Sequence, residues 1–451
     1  MRLYLLLFPL MCSLSSFGAA LTPSDISTSI LEHFPLIEEA RLKAEAANAD
    51  VTSSTGAFDT KLKVKHRNHI EEKFDNEFTE VTLEKLTPWS GIELFAGHRR
   101  GTGFFAPYEG KFNTSRAGEA FAGLSFPLLR DRKLDQDRLQ LKASQIDSQV
   151  SENELLIKKN FYIYKGLSLY QKWRFTYQKI QTLKDLLKIA IERQVMLEKR
   201  FKAGDLEKIK LKDNLRSQNK REEELLKAEM DFKKHSIELS LYFRDKNGVP
   251  VETSGYTPSG QSEVKSPSLM VISNLPQMKI IDLEIEINRQ NKAFGENLKL
   301  PVLNVSGQVA RELSSDYPFD PEKVYLSINF ELPLENRKGE GKTVASVYKG
   351  MALEKKKQWI ADELKARYEQ TKELHELAQK RASVMTEEHS NASAVAVAER
   401  KRWSSGDSDL FVVAIREQEA ADVEVKLWGA KYDLEQYSLD LDLYSARFVQ
   451  K

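Results

Sequence analysis

The chain contains a single cysteine, Cys12, among 451 residues. Cys12 lies in a segment with the features of a secretion signal. An apolar run, Leu3–Leu14, follows a basic residue, and Gly18 and Ala20 supply the small residues of a cleavage site. The alternative is a membrane anchor, but the run is short for a span of about 20 residues. We therefore expect residues 1–20 to be a signal peptide, and the mature chain to have no disulfides and no thiolate metal sites.

Long apolar runs and an excess of either charge are also missing. Beyond the amino terminus no stretch reaches 18 consecutive apolar residues, so no transmembrane helix is predicted. The 68 lysines and arginines almost balance the 67 aspartates and glutamates, which leaves no basic field for nucleic acid. The 21 glycines and 14 prolines are too few for a low-complexity chain.

Catalytic and metal-binding motifs are incomplete. "GEGKT" at Gly339–Thr343 resembles a phosphate-binding loop, but Asn336 stands where the first glycine is required. "HELAQ" begins at His375 like a zinc motif and ends in Gln379, where a second histidine would be the ligand. No G-x-S-x-G motif is present. We predict a protein that is not an enzyme, with no catalytic residues, no metal and no cofactor.

Two long helical patterns dominate what is present. Residues 134–200 contain no proline and only one glycine, Gly166, and apolar residues recur every three or four positions. At about 1.5 Å per residue this segment is a rod of roughly 100 Å. A similar pattern covers about 341–402, and further helices follow each rod at about 206–245 and 408–447. We predict two helical hairpins, about 133–245 and 341–447. Their patterns are looser than a strict heptad, as expected for helices packed on two sides around a wet lumen.

The turns of the two hairpins have similar sequences, "KRFKAGD" at 199–205 and "KRWSSGD" at 401–407. Glycine suits the left-handed residue that ends a helix, and aspartate is a good N-cap for the helix that follows. The sequence therefore predicts two equivalent helix–turn–helix connections. Each has an aromatic residue and an arginine beside the turn.

Strand-like sequence precedes each rod, at about 58–128 and 297–334. "FDTKLKVKH" and "VYLSINFEL" alternate apolar and polar residues, which is typical of strands with two different faces. The alternation fits a half-buried strand in an ordinary core. It also fits a barrel wall with lipid on one side and water on the other, and the pattern alone does not separate the two.

The order of helix, strands, rod, turn and returning helix occurs twice, over 21–246 and 271–451. "SFPLLRDRKLDQDR" in the first copy has a counterpart in "ELPLENRKGEGKTV" in the second. Residues 247–270 between the copies are rich in Gly, Pro and Ser and indicate a linker.

The twofold repeat, the "FPLLRDRK" that opens the first rod and the Arg–aromatic–x–x–Gly turns resemble the bacterial outer-membrane efflux proteins (TolC-like family). The likeness covers about 24–447. "GDLEKIKLKDNL" is most similar to the heavy-metal efflux branch. The resemblance implies a mainly α fold with β structure. It implies a homotrimer in which four strands per protomer enter one outer-membrane β-barrel, continued by a periplasmic α-barrel.

The resemblance also implies a function, partners and sites. The chain would be the outer-membrane channel of a tripartite efflux or type I secretion system, joined to an inner-membrane pump by a periplasmic adaptor. The implied adaptor-docking residues lie at the two turns: Arg200, Phe201, Ala203, Gly204, Asp205, Leu206, Arg402, Trp403, Ser405, Gly406, Asp407 and Leu410.

Two features depart from the family pattern. Val412 and Ile415 occupy the positions of the acidic ring that closes the pore in better-known members, so we consider Asp407, Asp409 and Arg416 as alternative constriction residues. The first repeat also has more strand-like sequence than two strands need, and the surplus around "HRRGTGFFAPYEG" is interpreted as a long extracellular loop. The alternatives to a channel are a periplasmic coiled-coil adaptor, which predicts one hairpin, and a structural coiled-coil protein, which predicts no barrel strands.

Overall fold

A computed structural model describes residues 19–70, 74–107, 112–260, 270–313 and 323–449. Apart from its last two residues, the predicted signal peptide lies outside the described residues. The main elements in chain order are β1 (Ala20–Leu21), α1 (Pro23–His33), α2 (Pro35–Thr55), β2 (Lys61–His69), β3 (Asn76–Leu86), β4 (Glu93–Gly103), β5 (Glu119–Pro127), α3 (Gln136–Lys202), α4 (Lys208–Ser240), β6 (Thr257–Pro258), α5 (Pro276–Asn297), β7 (Val302–Glu312), β8 (Lys323–Glu331), α6 (Arg337–Ser404) and α7 (Leu410–Tyr444). The expected mainly α fold with β structure is confirmed.

The two rods form as unbroken helices of 67 residues in α3 and 68 residues in α6. None of the helices in the described part of the chain is long and apolar enough to cross a membrane. The chain divides into two compact units that each take part of both rods. The helical unit is drawn from residues 1–40, 155–275 and 362–451, and the sheet unit from 41–154 and 276–361. Each unit thus combines segments from the amino-terminal and carboxy-terminal halves of the chain.

Helix α1 is fixed in the helical unit by a cap and an apolar face. Thr22 and Asp25 form a reciprocal capping box at its start. Ile26 and Ile30 are fully buried against α3 and share a core with Trp173. The Trp173 Nε1–H donates to Ser236 Oγ on α4 at 3.0 Å, so the buried indole is satisfied.

Gly166, the only glycine in the first rod, lies where Ile26 and Ile30 of α1 pack against α3. A Cβ at this position would overlap the side chain of Ile30. We expect Gly166→Leu to lower the free energy of unfolding by about 1–3 kcal/mol, because the added atoms overfill a packed contact. Thermal unfolding followed by circular dichroism measures this loss. Gly429→Ala is the control, since the nearest atom to its Cβ lies 4.0 Å away. Equal stability of the two variants would contradict the prediction.

The first part of the predicted linker packs on the helical unit. Residues Thr257–Pro258 pair in parallel with Ala20–Leu21. The Tyr170 hydroxyl oxygen lies within hydrogen-bond distance of two carbonyl oxygens, that of Leu21 at 2.8 Å and that of Ser259 at 2.9 Å. The Arg174 guanidinium donates to the Gly260 carbonyl at 3.1 Å. Positions 257–260 are thus held against the helical unit by backbone pairing and side-chain hydrogen bonds, whereas 261–269 lie outside the described residues.

The sheet unit contains a six-stranded antiparallel sheet in the order β2-β3-β4-β5-β7-β8. The expected four strands per chain is therefore wrong for the described residues, because the surplus sequence of the first repeat forms the additional full-length hairpin β3–β4. The expected extracellular loop is corrected in the same way: the "HRRGTG" part belongs to β4, and residues 108–110 of that stretch are not described. The two added strands have the same alternation of polar and apolar residues as the others. The sequence pattern therefore gave no means of telling four strands from six.

The register of the sheet separates two chemically different faces. Exposed apolar side chains collect on one face, and Leu326 and Ile328 are 80% and 73% exposed. The apolar members of this face are Leu62, Val64, Val81, Leu83, Leu94, Ala96, Ala120, Ala122, Leu124, Leu303, Val305, Val309, Val324, Leu326, Ile328 and Phe330. The opposite face carries charged and polar residues, including Lys61, Lys63, Lys65, Arg67, Glu80, Glu84, Arg99, Glu119, Gln308, Glu312, Lys323 and Asn329. The exposed apolar face excludes an ordinary soluble core as the explanation of the alternation.

The residues where a strand passes into a rod have an unusual backbone in both halves of the chain. Asp131 and Asn336 follow the similar "PLLR" and "PLE" sequences, and both have positive φ, 65° and 49°. In the sheet unit, the Asp131 N–H donates to Asn297 Oδ1 at 2.9 Å, and Asn297 Nδ2 donates back to Asp131 Oδ1 at 2.8 Å. These bonds hold the start of α3 against the end of α5.

Candidate functional site

The turns of the two hairpins, at Gly204–Asp205 and Gly406–Asp407, have the same backbone hydrogen bonds. In the first turn, Gly204 N–H donates to the Phe201 carbonyl at 3.0 Å and Asp205 N–H to the Arg200 carbonyl at 3.0 Å. In the second turn, the corresponding bonds run from Gly406 to Trp403 at 3.0 Å and from Asp407 to Arg402 at 2.8 Å. This pair of bonds is the Schellman arrangement of a helix end. We call residues 199–206 and 401–410 the tips.

The glycines act as predicted and the aspartates that follow them do not. Gly204 and Gly406 have φ of +84° and +88°, the left-handed region that glycine adopts without strain. The predicted N-cap role of Asp205 and Asp407 is wrong, because both belong to the end of the preceding helix. The N-cap positions are Glu207 and Asp409, and only Asp409 caps with its side chain.

The tip side chains are mostly accessible. Arg200 and Phe201 are exposed, and Phe201 retains 39% of its surface. Trp403 is half-buried, and Arg402 is tied to its own tip by bonds to Glu399 at 3.2 Å and to the Asp407 carbonyl at 3.3 Å. The remaining predicted docking residues also lie in the tips: Ala203, Gly204, Asp205, Ser405, Gly406 and Asp407 are exposed, and Leu206 and Leu410 are half-buried.

An ion pair connects the helices that leave the two tips. Lys210 Nζ lies 3.2 Å from Asp409 Oδ2, and Asp409 Oδ1 accepts the Phe411 N–H at 2.7 Å. The hydrogen bond from Phe411 and the contact with Lys210 hold the pKa of Asp409 below its ordinary value. Of the three candidate constriction residues, Asp409 is thus engaged in this cap and Arg416 pairs with Glu419 at 2.8 Å. Asp407 is exposed.

Asp409→Ala is expected to fray the start of α7, because it removes both the cap and the ion pair. The loss is about 1 kcal/mol, seen as roughly fivefold faster amide exchange at Phe411. Because the folded pKa is lowered, the carboxylate stabilises the tip fully above its ordinary pKa of 3.8, and this contribution is lost as the pH falls through the lowered value. Asp409→Asn is the control, since Asn still caps. Identical exchange in the two variants would show that the cap has no role.

A cleft separates α4 from α7 beside the tips. It encloses about 520 Å³, and its walls include Asn214, Arg221, Leu410, Phe411, Ala414 and Ile415. Phe411 is 71% exposed, while Val412 and Ile415, which replace the expected acidic ring, are 36% and 38% exposed. The sequence analysis did not select Phe411, because an apolar residue at helical spacing gives no sign of its exposure.

Buried charges lie behind this cleft. The Arg193 guanidinium pairs with Glu417, and Arg400 donates to the same carboxylate at 2.9 Å. Arg221 is 1% exposed and donates to the Leu186 carbonyl at 3.1 Å. Burial, and then the neighbouring Arg193, lowers the pKa of Arg221. Spacing of charges along a helix could not reveal this group, because Arg193, Arg221 and Glu417 are buried on three different helices and the half-exposed Arg400 comes from a fourth.

A second charged cluster lies on the polar face of the sheet. Arg99 Nε is 2.5 Å from Glu119 Oε2, and Lys323 Nζ is 3.0 Å from both Glu119 and Glu312. Glu119 is fully buried. The Phe112 ring covers the Lys323 ammonium at 5.0 Å, so residue 112 is held over the polar face.

The described residues contain no group of three or more His, Cys, Asp or Glu side chains arranged to hold a metal ion. No protein-family model matches the chain, and no curated protein matches it in sequence. Solved structures do match. The Neisseria gonorrhoeae MtrE outer membrane channel in its open state has a TM-score of 0.66 at 10% identity, over 96% of this chain and 90% of that one.

Two further structures agree. The outer membrane protein VceC of Vibrio cholerae has a TM-score of 0.63 at 12% identity, over 95% of each chain. The Campylobacter jejuni CmeC outer membrane channel also has a TM-score of 0.63, at 13% identity over 94% of this chain and 85% of that one. The chain has the fold of these outer membrane channels, and the resemblance drawn from the sequence is confirmed at the level of the fold.

Proposed function

We propose that the chain is the outer-membrane channel of a tripartite efflux or type I secretion system. It passes solutes from an inner-membrane pump and a periplasmic adaptor to the exterior without chemistry. The observation that carries the proposal is a six-stranded sheet with one exposed apolar face in a chain that also has two long helical hairpins with matching turns. The channel fold of the similar structures supports the same reading.

The sheet is the part we assign to the outer membrane. Lipid satisfies an apolar outer face, and water satisfies a polar inner face, as in transmembrane barrels. Exposed Leu326, Ile328 and Phe330 have no other described cover, and their face would be a large apolar patch on a soluble protein. Three copies of the chain form the channel. Their sheets make a β-barrel in the outer membrane, and their long helices make an α-barrel in the periplasm.

The tips are the part we assign to the adaptor. Each presents an arginine and an aromatic side chain beside a rigid Schellman turn, and such residues commonly anchor protein interfaces. A trimer has six tips, two from each copy, which suits a partner that repeats around the mouth. Asp407 is the candidate for a narrow charged opening at this end, because Asp409 and Arg416 already have partners.

Membrane fractionation and gel migration test the proposal. We expect the chain in the outer-membrane fraction, migrating as a trimer that heating converts to a monomer. The adaptor alternative predicts a single hairpin, and the structure has two, α3–α4 and α6–α7. The structural coiled-coil alternative predicts no barrel strands. Recovery of the mature chain as a detergent-free soluble dimer would contradict the channel.

A further inference from the structure

The sheet has two open edges. Within the described part of the chain, β2 and β8 each pair on one side only. Both have nine residues, and their exposed apolar side chains place these edges in the lipid. An unpaired row of N–H and C=O groups is not tolerated in the hydrocarbon region. On the basis of the proposed membrane channel, we propose that β8 of one copy pairs with β2 of the next, so that each copy contributes six strands to the barrel.

The directions of the two edge strands allow this pairing. Every neighbouring pair in the sheet is antiparallel, so β2 and β8 are the first and last of six alternating strands and point in opposite directions. A second copy placed edge to edge therefore continues the antiparallel pattern. Three copies, as proposed, give a barrel of eighteen strands rather than twelve.

The orientation of the backbone groups fixes which residues pair. Leu128 N–H donates to the Leu303 carbonyl and Leu313 N–H to the Gly118 carbonyl, so even-numbered residues of β5 direct their backbone groups towards β7. Hydrogen bonds alternate along antiparallel strands. In each strand, residues of one parity bond to one neighbouring strand and residues of the other parity bond to the opposite neighbour. Following this rule from β5 through the paired strands shows that the backbone N–H and C=O groups of even-numbered residues point to the open edge in both β2 and β8. The side chains of these even-numbered residues lie on the apolar face in both strands, so pairing β2 with β8 keeps the apolar face continuous across the contact.

Full overlap of the two edges gives a definite register. It places Lys61 opposite Glu331 of the neighbouring copy, and Leu62 opposite Phe330. The first pair joins opposite charges on the polar face, and the second joins apolar groups on the lipid face. The next apolar pair is Val64 with Ile328, so the matched pattern persists along the strands.

The same register gives an acceptable barrel geometry. The pairing that starts at Lys61 crosses the sheet to Tyr325. In the proposed register Tyr325 faces Arg67, six residues beyond Lys61 (67 − 61). A stagger of six residues over six strands means that the strands tilt by about 35° from the barrel axis. This value uses a rise of about 3.3 Å per residue and a distance of about 4.8 Å between strands. Strands in closed barrels tilt by about 35–45°.

Cross-linking tests the edge contact. Lys65 and Ser327 face each other in this register as a pair without mutual hydrogen bonds, whose Cα atoms are about 4.5 Å apart, within disulfide range. We expect Lys65→Cys combined with Ser327→Cys to give covalent multimers in oxidised outer membranes, with the ladder ending at three copies and collapsing on reduction. Each single variant is a control and should give no ladder.

A second pair distinguishes six strands from four. Lys61→Cys with Ser125→Cys joins β2 to β5, which lie three strand spacings apart in the sheet, about 14 Å. A disulfide here requires β3–β4 to leave the barrel, and it would overturn the six-strand inference while the trimeric channel stands. A heat-modifiable trimer with neither cross-link would also overturn the edge contact. A monomer in the soluble fraction would instead refute the proposed channel itself.

Discussion

Replacing both tip glycines by proline, Gly204→Pro with Gly406→Pro, is expected to abolish export while the protein still reaches the outer membrane. Proline fixes φ near −65°, whereas these residues have φ of +84° and +88°. The substitution also removes the two N–H groups that donate to Phe201 and Trp403. Both Schellman turns are lost together, so the arginine and aromatic side chains beside them no longer hold one geometry. A loss of 1.4 kcal/mol in adaptor affinity already weakens binding about tenfold.

The matched control is Gly204→Asn with Gly406→Asn. At both glycines no atom lies within 4 Å of the position of a Cβ, so a side chain fits. Whether a substitution is tolerated therefore depends only on whether the new residue can adopt the left-handed backbone conformation. Asparagine adopts the left-handed region more readily than other residues with a side chain. We expect the asparagine pair to retain most of the export. The readout is tolerance of toxic solutes in a strain that depends on this chain. Normal tolerance with the proline pair, at equal trimer in the outer membrane, would count against docking at the tips.

The long helices and their turns were predictable because their signals are local. A run without proline, with apolar residues every three or four positions, specifies a helix whatever surrounds it, and the glycines of the two turns specify left-handed ends. The predicted rods at 134–200 and about 341–402 agree closely with Gln136–Lys202 and Arg337–Ser404. The N-cap assignment failed because Schellman turns keep the residue after the glycine within the helix end, which moved the cap of α7 from Asp407 to Asp409.

The number of strands could not be read in the same way. Period-two alternation is alike in a wall strand and in the arms of a surface loop, and family resemblance favoured four strands. The additional hairpin is recognisable only when Thr82 and Gly97, or Val81 and His98, are seen to pair. Contacts between distant segments were not predictable from the sequence either. An example is the contact between the Tyr170 hydroxyl and the Ser259 carbonyl in the predicted linker.

The buried charges behind the tip cleft give the largest expected effect on stability. Glu417 is 4% exposed, and it accepts from Arg193 and Arg400. Arg221 lies in the same group, and Glu417 supports its charged form against burial. Glu417→Ala leaves the buried guanidinium groups of Arg193 and Arg221 without this carboxylate. Removing one partner of a buried pair typically costs about 3–5 kcal/mol, so we expect the helical unit to unfold at a clearly lower temperature.

Circular dichroism of the purified protein measures this loss, and Glu419→Ala is the matched control. Glu419 lies two residues further along α7, where it pairs with Arg416 in solvent, and both side chains are about half exposed. Exposed pairs contribute about 0–1 kcal/mol, so its removal should change little. Replacing Arg193 and Glu417 together, by Met and Leu, should be less harmful than Glu417→Ala, because it removes one buried charge along with its partner. If Glu417→Ala unfolds at the same temperature as Glu419→Ala, the pair between Arg193 and Glu417 does not hold α3 against α7.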